Sequence, residues 1–297
     1  MTLRRRIAAR VPALLRDQAF RRYWSGQTIS MFGDQISSIA LPLVAVLTLH
    51  ASPAQMGLLA ALEWLPSLLF GLHAGALVDR RGHRRMTMIT ADVGRCALLA
   101  SIPLCYALGA LTLWQLYGAA FGTGLLSVLF TVCDPALFVT LVPDDQYVDG
   151  NSLIYGSRAL SFVGGPSAGG ALVQALSAPL AVLADAVSFL GSAFFLARIR
   201  PQEPPAAEPA KGALTAGVRY IRQTAIIRLA LIAFSTVNFF NFVYFALFVL
   251  FATRYLHVVP GLLGLVLGVG AVGGVLGAAQ IRPANICVPI AGVCLET

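Results

Sequence analysis

The chain has 297 residues, of which 58% are hydrophobic and 11% charged, with a net charge of +8 and a mean hydropathy of +0.78. A water-soluble domain carries roughly 25% charged residues; this surface cannot be covered that way, so its solvent is lipid. The basic excess falls in short blocks between apolar runs, with no folded basic face, which argues against nucleic acid as a partner.

Crossing a bilayer core of ~30 Å takes ~20 apolar residues. Eight runs qualify in chain order: about 24–49, 54–78, 87–108, 112–135, 151–176, 179–198, 226–252 and 260–281. The first is too long for a signal peptide, and no small-residue cleavage site follows it. Before it stand Arg4, Arg5, Arg6, Arg10, Arg16, Arg21 and Arg22. After the second run come Arg80, Arg81, Arg84 and Arg85; after the sixth come Arg198, Arg200, Lys211, Arg219, Arg222 and Arg228. The loops at 50–53, 109–112 and 177–179 contain no Lys or Arg. Positive loops stay in the cytoplasm, and acidic residues such as those at 143–150 count little. The reading is a multi-pass cell-membrane protein with a cytoplasmic N-terminus. Its parts are a basic N-terminal segment (1–23), a six-helix bundle (24–198), a cytoplasmic linker (199–225), the first two helices of a second bundle (226–282) and a tail (283–297). The linker is Pro-rich, then reads as a basic amphipathic helix, either a plain connection or a lipid- or partner-binding element.

Cys96, Cys105, Cys133, Cys287 and Cys294 show no CxxC spacing, and His50, His73, His83 and His257 are scattered. No metal site or cofactor is expected. There is no GxxxxGK[ST] nucleotide loop, no HExxH and no Ser/His/Asp set, so neither ATP-driven transport nor an enzyme is indicated.

The segment GALVDRRGHRRM at 75–86 places Gly75, Asp79, Arg80, Gly82, Arg84 and Arg85 in the pattern Gly-x-x-x-Asp-Arg-x-Gly-x-Arg-Arg between two spans. Gly82 permits a tight turn. With six helices, a linker and more helices, this resembles the major facilitator superfamily. The resemblance implies an all-α membrane fold, a major facilitator-type helical bundle, with eight of an expected twelve helices supplied. It also implies that Asp79 faces the N-terminal end of a second-bundle helix and latches the cytoplasmic side. The alternative is that the arginines only set topology. In span five, Gly165, Pro166, Gly169 and Gly170 resemble the Gly-Pro…Gly-Gly segment of the superfamily's exporters. Ser157, Ser161, Gly165 and Gly169 form a row of small residues that lets backbones approach. The resemblance assigns span five to packing against span eight, where Gly261, Gly264, Gly268, Gly270, Gly273, Gly274 and Gly277 stand; ordinary packing within one bundle is the alternative. The segments 33–43 and 91–103 are similar to macrolide-efflux and siderophore (enterobactin) exporters. At the end of helix four, Cys133, Asp134 and Pro135 depart from that branch's usual turn.

Charged groups within spans are costly, ~2.5–3.5 kcal/mol at a span centre, and each invites a functional reading. Asp34 and Glu63 fall near the middle of spans one and two and are the proton-coupling candidates. For Asp34 the alternative is a structural hydrogen bond to backbone or Arg95; Glu63 could equally face a polar seam of its own bundle. Asp92 and Arg95, three apart on span three, are expected to pair. Arg158, Asn238 and Asn241 are substrate-binding candidates, while Asp185 shows no partner in the sequence. Phe239, Phe240, Phe242, Tyr244 and Phe245 could line a site for an apolar molecule or simply face lipid.

After Arg282 the resemblance stops, so a truncated or frameshifted product is expected. The leading functional reading is a secondary exporter of a small, partly apolar molecule of drug or siderophore type, exchanging it for protons by alternating access. The other is a remnant that inserts without transporting. Expected partners are a small-molecule substrate, protons and the bilayer; the sequence gives no oligomeric state.

Overall fold

A computed structural model describes residues 13–201 and 219–269, apart from the side chains at 13, 72, 76, 77, 79–81 and 246. The expected N-terminal basic stretch up to residue 12, linker residues 202–218, the end of span eight and the tail lie outside the described residues. Within them every regular element is helical: α1 Gln18–Leu43, α2 Pro53–Arg81, α3 Arg84–Ala107, α4 Leu113–Leu141, α5 Tyr147–Ala175, α6 Ala178–Ala197, α7 Ala225–Arg254 and α8 Pro260–Val269. Short 3-10 turns precede α1 and α5.

Local chemistry marks the ends. Asp17 accepts the Ala19 amide at 2.9 Å and starts α1. Ser52 and Gln55 form a reciprocal capping box for α2, with Pro53 in its first turn. Thr112 caps α4 through the Gln115 amide. Gly82, at φ 66°, ends α2 in the left-handed conformation. α1 to α5 each contain an interior proline. After Pro42, α1 widens into a five-residue π-type turn, Val44–Thr48.

Six of these helices are long and apolar enough to cross a membrane, against eight expected. α5 has the length, 29 residues, but its glycines, serines, Asp149 and Arg158 make it less apolar. α8 is described for ten residues only. Boundaries also differ: α1 begins six residues early, and α2 runs on through Asp79, Arg80 and Arg81. The charged loop between spans two and three therefore shrinks to Gly82 and His83.

α1 packs against α5 and α6, α3 against α4 and α6, and α2 against α4; α7 meets α2 and α1. Two apolar clusters hold the first bundle. One, around Phe20, Tyr23, Met88 and Leu137, lies at the end where α1 starts; the other, around Ile39, Leu99, Leu116 and Phe189, lies toward the opposite end. Along α1, α3 and α4 the polar residues sit between these clusters. Outward faces are apolar: Leu68 is 81% exposed and Phe234 71%. Only hydrocarbon tolerates that surface, which makes this a multi-pass membrane protein.

Candidate functional site

The polar middle of the first bundle is built from four helices. α3 contributes Asp92 and Arg95, both buried, joined as an ion pair between Arg95 Nη2 and Asp92 Oδ1. The pairing expected from their spacing is present. Arg95 is further held between two rings, its guanidinium carbon 4.1 Å from the Phe189 centroid and 4.5 Å from that of Phe130. Its Nη1 donates to Ser127 Oγ on α4 at 3.4 Å. α6 contributes Asp185, 2% exposed, which accepts the Ser188 hydroxyl at 3.0 Å. A local partner for Asp185 thus stands three residues along the same helix, a signal that was open to reading in the sequence.

α1 brings Asp34 to this cluster, within electrostatic reach of Arg95, Asp92 and Asp185. The approach is close because residue 33 is glycine: a Cβ there would overlap Asp185 Oδ1 and Ser188 Oγ. Asp34 and Glu63 are both exposed and stand within electrostatic reach of each other. A cavity of about 140 Å³ lies beside Glu63, walled by Ser38, Pro42, Met56, Leu59, Trp64, Phe242 and Phe245 among others. Trp64 and Phe242 meet at 4.5 Å between centroids. Two of the α7 aromatics therefore face the protein, while Phe239 and Phe240 are more than 60% exposed.

The other substrate candidates are not drawn to this point. Arg158 is exposed, with its guanidinium 5.5 Å from the Tyr155 ring, and lies within electrostatic reach of Asp134. Asp134 is the polar residue that the sequence left without a role. It accepts the Tyr23 hydroxyl at 2.6 Å and a bond from Gln27 Nε2, tying α4 to α1. Those partners are more than a hundred positions away, so no local pattern reveals them. Asn238 donates to the Phe234 carbonyl of its own helix at 2.8 Å, and Asn241 is exposed.

The charged motif is split between two helix ends. Gly75 lies within α2, Asp79 and Arg80 in its last turn, and Gly82 at the left-handed turn. Arg84 and Arg85 open α3, where the helix dipole disfavours cations. Arg85 turns to the opposite pole of a neighbour: its Nε and Nη2 donate to the Leu196 and Ala197 carbonyls at 2.9 and 2.8 Å, the C-terminal end of α6. Arg22 of α1 joins it, donating to the Arg198 carbonyl at 2.6 Å.

The four motif residues of α5 divide between two faces. Gly165 and Gly169 lie against Gln35 and Ile36 of α1, continuing a seam in which Thr28 donates to Ser157 at 3.0 Å. Pro166 and Gly170 lie against α8: the Gly170 and Gly264 backbones touch, Ser167 donates to the Gly264 carbonyl at 3.3 Å, and Gln174 accepts the Gly261 amide at 3.0 Å. The small-residue row Ser157, Ser161, Gly165 and Gly169 packs inside the first bundle, while the neighbouring face of α5 meets α8.

The sequence model of the Major Facilitator Superfamily matches residues 23–286. Among proteins of known sequence, the chain is 29% identical to the uncharacterized MFS-type transporter YfiS of Bacillus subtilis, over 86% of this chain and 61% of that one. It is 27% identical to the multidrug efflux pump Tap of Mycobacterium tuberculosis, over 86% of this chain and 63% of Tap. The chain thus spans less than two thirds of the length of these relatives. Its fold is similar to that of a bacterial homolog of the human lysosomal transporter Spinster in an inward-facing, unoccupied conformation. That match has a TM-score of 0.68 and 16% identity, covering 88% of this chain and 61% of that one.

Proposed function

The chain belongs to the Major Facilitator Superfamily, and on that premise we propose that it serves secondary active export of a small, partly apolar molecule in exchange for protons. The observation that carries this reading is the pair of carboxylates, Asp34 and Glu63, both exposed and within electrostatic reach of each other midway along apolar helices, with Glu63 on the cavity wall. Aromatic and aliphatic walls beside them suit an apolar substrate body. A carboxylate at that depth can exchange a proton with water that reaches it, and protonation would alter the local charge and with it the affinity for substrate. Similarity to Tap, named a multidrug efflux pump, supports efflux of drug-like molecules.

In this reading the chain lies in the cell membrane with its N-terminus in the cytoplasm, as the positive end loops favour. The motif of Gly75, Asp79, Arg80, Gly82, Arg84 and Arg85 acts as the cytoplasmic latch. Asp79 supplies the charge for a helix end, Gly82 the turn, and Arg85 a tie to α6. Asn241 and Arg158 are the polar substrate contacts proposed beyond the cavity wall.

The test is efflux from proteoliposomes under an imposed proton gradient, with ethidium as the probe. Asp34→Asn should abolish gradient-driven movement while the protein still inserts. Export that persists in this variant with unchanged pH dependence would refute the coupling role.

A further inference from the structure

We propose that Asp185 and Asp34 form one proton-exchanging pair across the seam between α1 and α6, with Asp34 as the exposed entry and Asp185 as the buried store. This rests on the proton-exchange reading above but names a residue that reading does not use.

The first support is a charge count. Asp34, Asp92 and Asp185 come together from three helices. Among the described residues one cation, Arg95, serves all three. That cation is committed: it pairs with Asp92 and is fixed between Phe130 and Phe189. Asp185 is left with neutral hydroxyls, Ser188 on its own helix and Ser37 of α1 beside it, in place of a countercharge. A buried carboxylate without a countercharge is costly, and a bound proton removes that cost. The groups facing Asp185 are Asp34 from α1, and Arg95 and Cys96 from α3 with Asp92 behind them; α5, also packed on α6, brings no charged group into reach.

The second support is independent. Four buried polar atoms in this cluster lack a hydrogen bond of good geometry, Ser37 Oγ, Ser192 Oγ, Asp92 Oδ2 and Arg95 Nε, although Ser37 stands beside Asp185 and Ser192 beside Asp92. Buried polar atoms are nearly always satisfied, so unpartnered ones mark a place for water or a proton. Ser37 stands one turn from Asp34, and Ser192 one turn from Ser188. Gly33 removes the side chain that would separate α1 from Asp185. The difference in access then sets the order of events, since Asp34 is exposed and Asp185 is 2% exposed. A proton arriving from outside the seam bonds to Asp34. It leaves that carboxyl oxygen for Asp185, directly or through water held at Ser37, and Asp34 is again an exposed carboxylate.

The test is infrared difference spectroscopy on the full chain in lipid vesicles, following the carbonyl stretch of protonated carboxyl groups through a pH titration. The wild type should show such a band, bleaching as pH rises. Asp185→Asn should lose it and Asp185→Glu should restore it at a shifted position. Asp34→Asn, at an exposed position, should keep the band but slow its response to deuterium oxide. A band unchanged in Asp185→Asn overturns the proposal, even if ethidium export continues. A band that follows Asp185 while no gradient drives ethidium leaves the pair standing and removes the export reading.

Discussion

α1–α2 and α7–α8 are punctuated alike and filled differently. Gln18 and Ala225 open the longer helices, His50 and His257 end them, and Pro53 and Pro260 open the next, all at one constant spacing. Both histidines adopt φ 52°. After each, an amide reaches back six residues, Ala51 to Ala45 and Val258 to Ala252, both at 2.9 Å. Each closes its helix through a left-handed residue, as a Schellman motif does, but with a reach one residue longer and with histidine where glycine is usual. The fillings diverge. At the positions of Gln27, Ser30, Asp34, Ser37 and Ser38 in α1, α7 carries Phe234, Val237, Asn241, Tyr244 and Phe245. α1 is covered by α5 and α6, and its polar groups find partners on α4 and α5. α7 is mostly exposed and presents aromatics. Helix ends are thus set by local backbone chemistry, and interior polarity by what covers a face.

The sharpest way to break this contrast is at the charges. Arg95→Leu should leave Asp92 buried and unpaired, costing about 3–5 kcal/mol in reversible unfolding; a cost below about 1 kcal/mol would mean that the first bundle does not depend on its ionic middle. A smaller effect separates matched glycines. Gly264 touches the α5 backbone, so Gly264→Leu should cost about 1–3 kcal/mol by overpacking. Gly57, its counterpart by spacing, has open space around it, so Gly57→Leu should stay within about 0.5 kcal/mol of wild type. Equal costs would end the claim that the two pairs differ in packing. Smallest is the shared feature itself. His50→Gly and His257→Gly should each stabilise by up to about 1 kcal/mol through relief of left-handed strain, and by similar amounts; thermal shifts of opposite sign would show that the two turns are not equivalents.

Much of this was legible in the chain because it is local. The Gly82 turn, the Asp92–Arg95 pair and the spans of α3, α6 and α7 follow from spacing within one or two turns. The Leu-His-x-x-Pro segments at 49–53 and 256–260 were equally visible, but five residues are a faint repeat. The division of α5 was not legible. Adjacent helical rows of small residues look alike, and only the assembled bundle decides which meets α1 and which meets α8. Nor could sequence show that Arg85 reaches the end of α6, more than a hundred positions on, or that Asp34 stands beside Asp185.

The two-sided contact of α5 has a mechanical consequence. Gly170 bears on the α8 backbone, while Gly165 and Gly169 bear on Gln35 and Ile36, the residues directly after Asp34. Side chains at a contact act as springs, since rotamer changes absorb small displacements. At glycine the spring is missing on one side and main chain bears directly on its neighbour. α5 would therefore act as a stiff pushrod: any travel of α8 would reach, with little loss, the stretch of α1 that carries Asp34.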